Sequence, residues 1–387
     1  MSFTLRVAGE RWRAHTESVR KEVSNASRSA FVPVIKGDGY GLGQTFLAEE
    51  AMRLDADTVC VGTVFEVDSI AAVTRGDIVV LEPFEVRNAA AAAEWWRLGQ
   101  RIYAGRVIRG VANVDSLIAL STSEGSARIV LEAQTSMHRF GFSESVLLTA
   151  LHDERVRHAL ATGRLFIEGL TLHLPMVQPV DEIAPRGVTD GTARAREVMR
   201  WAGLWQAETA VWSGHGAPAN VVWVSHLDEA ELIVIARSLD DTTLRCRIGS
   251  RLWLGDRKAL VASGTVLAVH PLATGTHVGY RQRTGPKDGT LVVVSGGTAH
   301  GIGLTAPTPA ASMRQRIVTA GTGALDAAGR ALSPFTWAKK QRWFAEPPHQ
   351  HHSMIWLPHD CVLPQIGDQL NADVRFTTSH FDAVIVE

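Results

Sequence analysis

The sequence has few cysteines, almost no net charge and no long apolar run, and each absence excludes a class of protein. Its three cysteines, Cys60, Cys246 and Cys361, form no CxxC pair. This usage excludes a disulfide framework and a cysteine zinc site, and it is typical of free thiols in a reducing cytoplasm. The formal net charge of -1 and the pI of about 7.0 give no reason to expect nucleic acid or an acidic membrane surface as a partner. Function must therefore come from a local site.

The sequence also lacks segments that would direct the chain to a membrane. No apolar run approaches the roughly 18 residues of a membrane span. The N-terminal residues include Arg6, Glu10, Arg11 and Arg13 and lack the apolar core of a signal peptide. We therefore expect a cytoplasmic protein. A hydrophobic fraction of 45% and a charged fraction of 20% are ordinary for a protein with a large core, and 387 residues predict two domains.

Short apolar segments alternate with helix-length segments after residue 31, which is the pattern of parallel strands joined by crossover helices. The predicted strands cover residues 31–36, 58–63, 77–82, 101–105, 128–133, 165–173, 221–226 and 243–248. The predicted helices include residues 44–54, 86–98, 143–160, 193–207 and 228–239. Eight such units match a closed (β/α)8 TIM barrel. An open doubly wound sheet is the alternative, but it would normally carry a glycine fingerprint after its first strand, where Lys36 stands.

After about Gly255 the sequence changes to short β-type segments separated by Gly, Pro and Thr, as expected for an antiparallel domain. Residues 265–272, 289–295 and 380–386 are examples. We therefore predict an α/β fold with a barrel domain at residues 10–256 and a mostly-β C-terminal domain at residues 257–387. Residues 1–9 could add a strand to the second domain.

The segment Phe31-Val-Pro-Val-Ile-Lys-Gly-Asp-Gly-Tyr-Gly-Leu-Gly43 carries the strongest indication of chemistry. A lysine at the C-terminal end of a strand lies where barrels form their sites, and burial there lowers its pKa and makes it a nucleophile or a base. The glycines allow the backbone to approach an anion, and Tyr40 offers a hydroxyl. A lone Lys-Gly pair is usually a surface feature. The whole segment, however, resembles the pyridoxal 5'-phosphate (PLP) lysine motif of the alanine racemases, which are fold-type III enzymes.

Two later segments extend this resemblance in the same order along the chain. Met137-His-Arg-Phe-Gly141 is similar to a family segment whose arginine lies beside the phenolic oxygen of the cofactor, which implies that role for Arg139. Gly169-Leu-Thr-Leu-His173 is similar to the segment whose histidine packs on the PLP ring. Taken singly, Arg139 could be a surface ion-pair partner and His173 a core histidine.

A third segment, Arg247-Ile-Gly-Ser-Arg-Leu-Trp-Leu-Gly255, resembles the family stretch that follows the eighth strand. The resemblance implies that Arg247 faces the pyridine nitrogen and that Gly249 and Ser250 hold the phosphate. A buried arginine needs a specific partner. Because its pKa is very high, an arginine would leave that nitrogen unprotonated and make the cofactor a weaker electron sink, which favours simple proton transfer at Cα.

The resemblance implies further cofactor contacts at other strand ends. Ser225 and His226 occupy the place of an Asn-Ser pair that binds phosphate in the family, and Ser213-Gly-His-Gly216 is a competing glycine-rich candidate. Glu132 stands where the family often has a carbamylated lysine that orients the arginine. We predict that Glu132 supplies this negative charge directly, and the alternative is an unrelated strand glutamate.

Alanine racemases use two bases on opposite faces of the external aldimine, because inversion at Cα requires proton removal on one face and delivery on the other. The resemblance makes Lys36 one base. The family's other base is a tyrosine in a Gly-Tyr-x-Asp-Gly motif from the β domain of the partner subunit. In the corresponding Gly297-Thr-Ala-His-Gly301, Thr298 stands at the tyrosine position. Since a threonine hydroxyl is too weak an acid to replace a phenol, we predict His300 as the second base.

Two other features could substitute for the missing tyrosine. The run His349-Gln-His-His352 falls at a family segment that also enters the partner's site, and Tyr280 lies in a segment that resembles a family stretch nearer the domain edge. The spacing of the histidines in this run could hold a metal, but no clear carboxylate accompanies them, and we predict no metal site.

The resemblance therefore predicts a PLP-dependent amino acid racemase or epimerase that acts as a homodimer with shared active sites. Two alternatives remain open. One is a fold-type III PLP enzyme of another reaction type, a decarboxylase or an aldolase, in which only one face needs a base. The other is a non-catalytic PLP-binding homologue that lost its second base. The sequence does not identify the amino acid substrate.

Overall fold

A computed structural model describes most of the chain and divides it into two compact units. The barrel unit comprises Ala14–Gly39 and Gln44–Gly255, and the β unit comprises Met1–Arg13, Tyr40–Gly43 and Asp256–Glu387. The structure describes residues 2–27, 30–176, 191–212, 216–239, 241–284, 287–304 and 331–387. Within these ranges, no helix has the length and apolar character needed to cross a membrane.

The described strands and helices alternate first and then give way to strands alone. The strands are β1 (Phe3–Val7), β2 (Ala30–Pro33), β3 (Thr58–Val61), β4 (Asp77–Val80), β5 (Val107–Val111), β6 (Ala127–Glu132), β7 (Leu165–Thr171), β8 (Val221–Ser225), β9 (Thr243–Ile248), β10 (Leu260–Leu272), β11 (His277–Val278), β12 (Arg283–Thr284), β13 (Gly289–Ser295), β14 (Leu332–Trp337), β15 (Lys340–Phe344), β16 (His352–Pro358), β17 (Gln369–Ala372) and β18 (Ala383–Val386). The helices are α1 (Gly9–Ser27), α2 (Gln44–Arg53), α3 (Val67–Ala71), α4 (Ala89–Gly99), α5 (Val114–Thr122), α6 (Glu144–Leu151), α7 (Glu154–Ala161), α8 (Ala193–Ala210), α9 (Glu229–Ser238) and α10 (Ser250–Leu254).

The barrel unit is a closed sheet of eight parallel strands, which confirms the predicted (β/α)8 barrel. The strands pair in the order β2-β9-β8-β7-β6-β5-β4-β3. The first and last strands of this order, β2 and β3, meet and close the sheet. Just after β2, Val34 forms a parallel bridge with Cys60, and the Ile35 N–H donates to the Cys60 carbonyl at 2.6 Å. The buried cluster inside is mostly β-branched: Val32, Val34, Cys60, Val79, Ile108, Val130 and Trp223. Burying each such side chain contributes about 1.5–3 kcal/mol.

The twofold alternation of the strands also places charged groups on the face that carries this core. On β6, Arg128, Val130 and Glu132 share one face, and Arg128 forms ion pairs of 2.6 Å with Asp77 and Glu168. On β9, Arg245 and Arg247 share a face in the same way. Because Glu132 and Arg247 lie toward the C-terminal ends of their strands, both are directed to the end of the barrel where sites form.

The strand predicted at residues 101–105 is wrong, and the residues that follow form the strand instead. Residues 101–103 form a turn that leads into a 3-10 helix at Ala104–Arg106, and Ile102 is fully exposed. The Arg106 guanidinium fixes this turn by donating to the carbonyls of Ala71, Thr74 and Gly76 at 2.8–3.0 Å. The apolar strand is β5, which begins at Val107.

A predicted helix over residues 143–160 is likewise divided in two. Asp153 has extended backbone angles, and its carboxylate accepts from the Arg155 N–H at 2.9 Å. This residue therefore caps the start of α7 and separates it from α6.

The β unit contains a second closed sheet. Its order is β13-β16-β15-β14-β17-β10, and β10 also pairs with β13, which closes the ring. The two outer strands β1 and β18 follow β10, with β1 antiparallel to β10 and parallel to β18. Phe3–Val7 thus forms a strand of this sheet, while the C-terminal strand is shorter than the segment 380–386.

Candidate active site

Seven of the residues predicted to bind a cofactor lie together at the C-terminal end of the barrel. They lie at or just after the ends of five strands that the closed sheet brings together: β2, β6, β7, β8 and β9. The seven residues, linked by electrostatic or hydrogen-bonding interactions, are Lys36, Glu132, Arg139, His173, Ser225, His226 and Arg247.

Lys36 follows β2, and its side chain opens to solvent at this end of the barrel. The protein atoms around its amine remove part of its water and lower its pKa, and the positive charges of Arg139 and Arg247 lower it further. Glu66 acts in the opposite direction. Lys36 therefore has the environment that makes an amine available as a nucleophile or base.

Glu66 is the site residue that the sequence analysis missed. Its Oε2 accepts from the Gly62 N–H at 2.8 Å, and the backbone N–H groups of Gly37 and Thr63 also bond to the carboxylate. A Cβ built on Gly62 would lie 3.1 Å from the Cβ of Lys36 and 3.0 Å from Oε1 of Glu66. The glycine thus allows lysine and glutamate to flank one backbone position. The available signal was an acidic residue soon after the end of β3.

Arg247 is buried in β9 with its charge only partly satisfied. One guanidinium N–H donates to the Leu172 carbonyl at 2.9 Å, whereas Nε has no hydrogen-bond partner among the described residues. Burial lowers the pKa of Arg247, and the neighbouring Cys60 and Glu132 raise it. A buried donor without a partner costs about 1–3 kcal/mol, so this nitrogen is poised for an acceptor.

Arg139 and Glu132 approach each other as the resemblance implies. The Arg139 Nη2 lies 3.7 Å from Oε1 of Glu132, and the arginine side chain is 40% exposed. Burial raises the pKa of Glu132, while the charges of Arg247 and Arg139 lower it. The loop that carries Arg139 is held by bonds between Gln134 N–H and Phe142 O and between Phe142 N–H and Glu132 O, each 2.8 Å.

His173 is oriented by its neighbours, and its imidazole is neutral at ordinary pH. Burial, followed by the charges of Arg247 and Arg139, lowers its pKa to about 2. Its Nδ1 lies 3.3 Å from the Ser225 hydroxyl, and the ring meets that of His226 edge-on at 5.1 Å. Burial also lowers the pKa of His226, again with a contribution from Arg247. A neutral imidazole in this position can pack against an aromatic ring.

The other predicted phosphate contacts occupy different surroundings. Gly249 precedes α10 and accepts backbone bonds from Leu252 and Trp253, and Ser250 is the exposed first residue of that helix. Tyr40 is buried, has a φ of 58° and belongs to the β unit. Of the competing segment Ser213-Gly-His-Gly216, all but Gly216 lies outside the described residues.

The barrel site matches the chemical requirements of PLP on two observations. Two buried polar atoms near the top of β7 and β9 lack partners within the described ranges, Oγ1 of Thr171 and Nε of Arg247. The positive charges of Lys36, Arg139 and Arg247 also act on one another, which suits an anionic ligand that carries phosphate and phenolate oxygens. An aldehyde cofactor further requires an amine of lowered pKa, and Lys36 supplies one.

In the β unit, the predicted second base is a buried histidine on a surface turn. The Nδ1 of His300 accepts from the Gly297 N–H at 3.2 Å, and its Nε2 lies 3.2 Å from Oδ1 of Asp382. The ring also packs edge-on against Phe3 at 5.4 Å. Thr298 is exposed on the same turn. Both nitrogens of His300 are therefore engaged within the β unit.

Two of the histidines of residues 349–352 lie near each other. The rings of His351 and His352 are 6.4 Å apart. In the part of the chain that the structure describes, no group of three or more His, Cys, Asp or Glu side chains is arranged to hold a metal ion.

Known proteins resemble this chain at the level of both sequence and fold. Residues 7–234 match the family model described as "Alanine racemase, N-terminal domain". The alanine racemase of Nitratidesulfovibrio vulgaris (strain DSM 19637 / Miyazaki F) is 26% identical over 283 residues, which cover 70% of this chain and 69% of the relative.

Two solved structures share the fold over nearly the whole chain. An alanine racemase from Bartonella henselae with covalently bound pyridoxal phosphate superposes with a TM-score of 0.64 at 13% identity, covering 100% of both chains. A histidine racemase from Leuconostoc mesenteroides subsp. sake superposes with a TM-score of 0.59 at 13% identity, covering 100% of this chain and 97% of the other. At these identities the likeness supports the fold.

Proposed function

This chain belongs to the alanine racemase-like family, and from this premise we propose that it is a PLP-dependent amino acid racemase or epimerase. The observation that carries the proposal is the cluster at the barrel end. An amine of lowered pKa, Lys36, lies there with Arg139 and with Arg247, whose buried Nε has no partner among the described residues. Relatives with this N-terminal domain are named alanine racemases.

The residues of the cluster would hold PLP in the roles that the resemblance implies. Lys36 would bind it covalently through Nζ, Arg139 would lie at its phenolic oxygen, and Arg247 at its pyridine nitrogen. Glu132 would keep Arg139 in place through their 3.7 Å contact. His173 would pack on the ring. The proposed phosphate contacts are Tyr40, Ser225, His226, Gly249 and Ser250.

When bound, PLP supplies an electron sink for the electron pair left at Cα of an amino acid. Arg247 limits how strong this sink becomes, because an arginine holds its own proton and leaves the pyridine nitrogen without one. A weak electron sink favours rapid return of a proton to Cα over reactions that need the negative charge at Cα to persist. The neutral His173 adds no charge beside the ring.

Lys36 would act as the base on one face of Cα. Its lowered pKa increases the fraction of neutral amine near neutral pH, which is the form that accepts a proton. Inversion needs an acid on the opposite face, and we propose that it comes from the β unit of a second subunit in a homodimer. His300 is the candidate that the sequence predicts, but using it would disturb its bonds to Gly297 and Asp382.

The proposal is tested first by locating the cofactor. The purified protein is reconstituted with PLP, reduced with borohydride and mapped by peptide mass spectrometry, with K36A as the matched control. We expect a phosphopyridoxyl label on the peptide that contains Lys36 and none in K36A. A label on other lysines at equal yield in both proteins would refute the assignment.

The reaction is tested next on single enantiomers, including alanine and histidine. We expect the opposite enantiomer to form in the wild type and not in K36A. Release of carbon dioxide or an aldehyde would instead identify a decarboxylase or an aldolase. A Lys36-bound cofactor with no turnover of any amino acid would identify a non-catalytic PLP-binding protein, the alternative that Thr298 at the tyrosine position favours.

A further inference from the structure

A histidine and a buried carboxylate lie beside the turn that carries Thr298, the residue to which the resemblance gives the place of the family's tyrosine. The Nε2 of His349 is hydrogen-bonded to Oε1 of Glu346, on the segment between β15 and β16. The Thr298 N–H donates to the His349 carbonyl at 2.9 Å, and the Ala299 N–H donates to that of Gln350 at 2.9 Å. His349 thus lies next to the tyrosine position within one compact unit.

Glu346 is fixed from the other side by backbone donors. The carboxylate is 2% exposed and accepts from the N–H groups of Tyr280 at 3.1 Å and Arg281 at 3.3 Å. A Cβ built on Gly279 would lie 1.8 Å from its carboxyl carbon. The carboxylate therefore fills the space that a side chain at Gly279 would occupy, and the glycine makes this close approach possible.

These contacts determine which nitrogen of His349 can accept a proton. A carboxylate that receives two backbone N–H groups acts as an acceptor, so Nε2 of the imidazole donates to it. The neutral ring then carries its lone pair on Nδ1. The structure gives Nδ1 no hydrogen-bond partner among the described residues. In His300, by contrast, both nitrogens are bonded.

The ring of His349 also faces an exposed surface of the β unit. The Tyr280 ring lies 4.4 Å from it, tilted by 34°, and Tyr280 is 86% exposed. The His349 side chain is 22% exposed. A molecule that approaches this face from outside the unit can therefore reach an imidazole held between a buried carboxylate and an aromatic ring.

We propose that His349, oriented by Glu346, is the acid–base group that replaces the missing tyrosine on the Cα face opposite the lysine. The inference rests on the proposed racemase function and on sites shared between two subunits. In one direction Nδ1 of His349 takes the proton as the Cα–H bond breaks, and the protonated amine of Lys36 gives its proton to form the new Cα–H bond. In the other direction the two groups exchange roles. Between turnovers in one direction, His349 gives its proton to solvent and Lys36 takes one up from solvent, so protons balance over the cycle.

The decisive variant is His349→Gln, because the glutamine amide can still donate to Glu346 while it cannot act as a base. Cα deuterium exchange is followed in deuterated water for each enantiomer separately. We expect exchange of one enantiomer to fall at least about 100-fold, the usual contribution of general acid–base catalysis, while the other still exchanges without inversion. His359→Ala, an exposed histidine elsewhere in the unit, is the matched control and should retain both rates.

Glu346 is a positioning residue in this scheme, and its test includes a direct measurement of the tautomer of the His349 imidazole. In Glu346→Gln we expect kcat to fall with little change in KM and the pH profile of kcat to shift. Independently of PLP, ¹⁵N NMR of the apoprotein should show His349 as the Nε2–H tautomer in the wild type and a mixture in Glu346→Gln. A wild-type ring protonated on Nδ1 instead would overturn the proposal.

The outcomes separate this inference from the proposed function. Wild-type inversion with normal exchange of both enantiomers in His349→Gln would overturn the role of His349 and leave the racemase intact. If His300→Gln, and not His349→Gln, loses Cα exchange of one enantiomer, the role belongs to His300. If Tyr280→Phe is instead the variant that loses it, the role belongs to the Tyr280 phenol. Absence of Cα exchange in the wild type would overturn both proposals.

Discussion

Replacing Gly279 by alanine tests whether the Glu346 carboxylate is held where the structure places it. Gly279 has a φ of +69°, so alanine would introduce left-handed strain of about 1 kcal/mol. Its Cβ would also displace the carboxylate, which lies 1.8 to 2.0 Å away. The displaced group would lose its bonds from Tyr280 and Arg281, worth about 1.5 kcal/mol each because the acceptor is charged. The expected total is about 4 kcal/mol.

Gly275 provides a matched control in the neighbouring turn. It has a φ of +81°, and a Cβ there would meet nothing within 4 Å. Gly275→Ala should therefore cost only the backbone strain of about 1 kcal/mol. The two variants differ in the carboxylate contact and share the backbone conformation.

The free energy of unfolding is measured by urea titration and compared between variants that share the same m-value. Hydrogen exchange of the Tyr280 and Arg281 amides reports on the local structure around Glu346. We expect both amides to lose protection in Gly279→Ala and to keep it in Gly275→Ala. Adding Glu346→Ala to Gly279→Ala should cost little more, since the contact is already lost. Equal costs for the two glycine variants, with unchanged amide protection, would refute this account of Glu346.

Three further predictions concern the barrel site and the turn. Arg247→Met should keep the fold but lose most of the stabilisation that PLP gives. In the wild type this stabilisation is about 2.7 kcal/mol at a PLP concentration of 100 times Kd, and thermal unfolding with and without PLP measures it. Glu66→Gln should lower the pKa of Lys36 further, because it removes a neighbouring negative charge that raises this pKa. The pH dependence of Lys36 acylation, read by peptide mass spectrometry, would contradict this by moving upward. Thr298→Tyr in a His349→Gln background should restore exchange of the second enantiomer, and no recovery would argue against the equivalence of the Thr298 position.

Alternation along the sequence was enough to predict the barrel, because each parallel strand is a short apolar run that must be buried on both faces. It failed at residues 101–105, where the apolar Ile102 is exposed and the turn is fixed by Arg106 bonding to carbonyls of a distant segment. Side chain–backbone bonds of this kind leave no periodic signal. The parallel pairing of β1 with β18 joins the two ends of the chain and likewise has no local signature.

The sequence could predict which residues lie together in the candidate site where a chemically distinctive residue stands at the end of a strand. Lys36 and Arg247 satisfy that condition, and the barrel geometry then brings them together. Glu66 was missed because its role depends on three backbone N–H groups of two loops. The hydrogen bond from the Tyr280 N–H to Glu346 was missed because it joins segments that are far apart in sequence, although His349 and Tyr280 were each noted.

The central claim is that this chain inverts an amino acid at Cα, and the isotope content of the product tests it most directly. A single enantiomer is incubated with the PLP-reconstituted protein in deuterated water and separated on a chiral column. We expect the inverted enantiomer to appear carrying solvent deuterium at Cα from the earliest time points, and Lys36→Ala to yield none. Deuterium in recovered substrate with no inverted product would contradict the claim and leave an enzyme with a single working base.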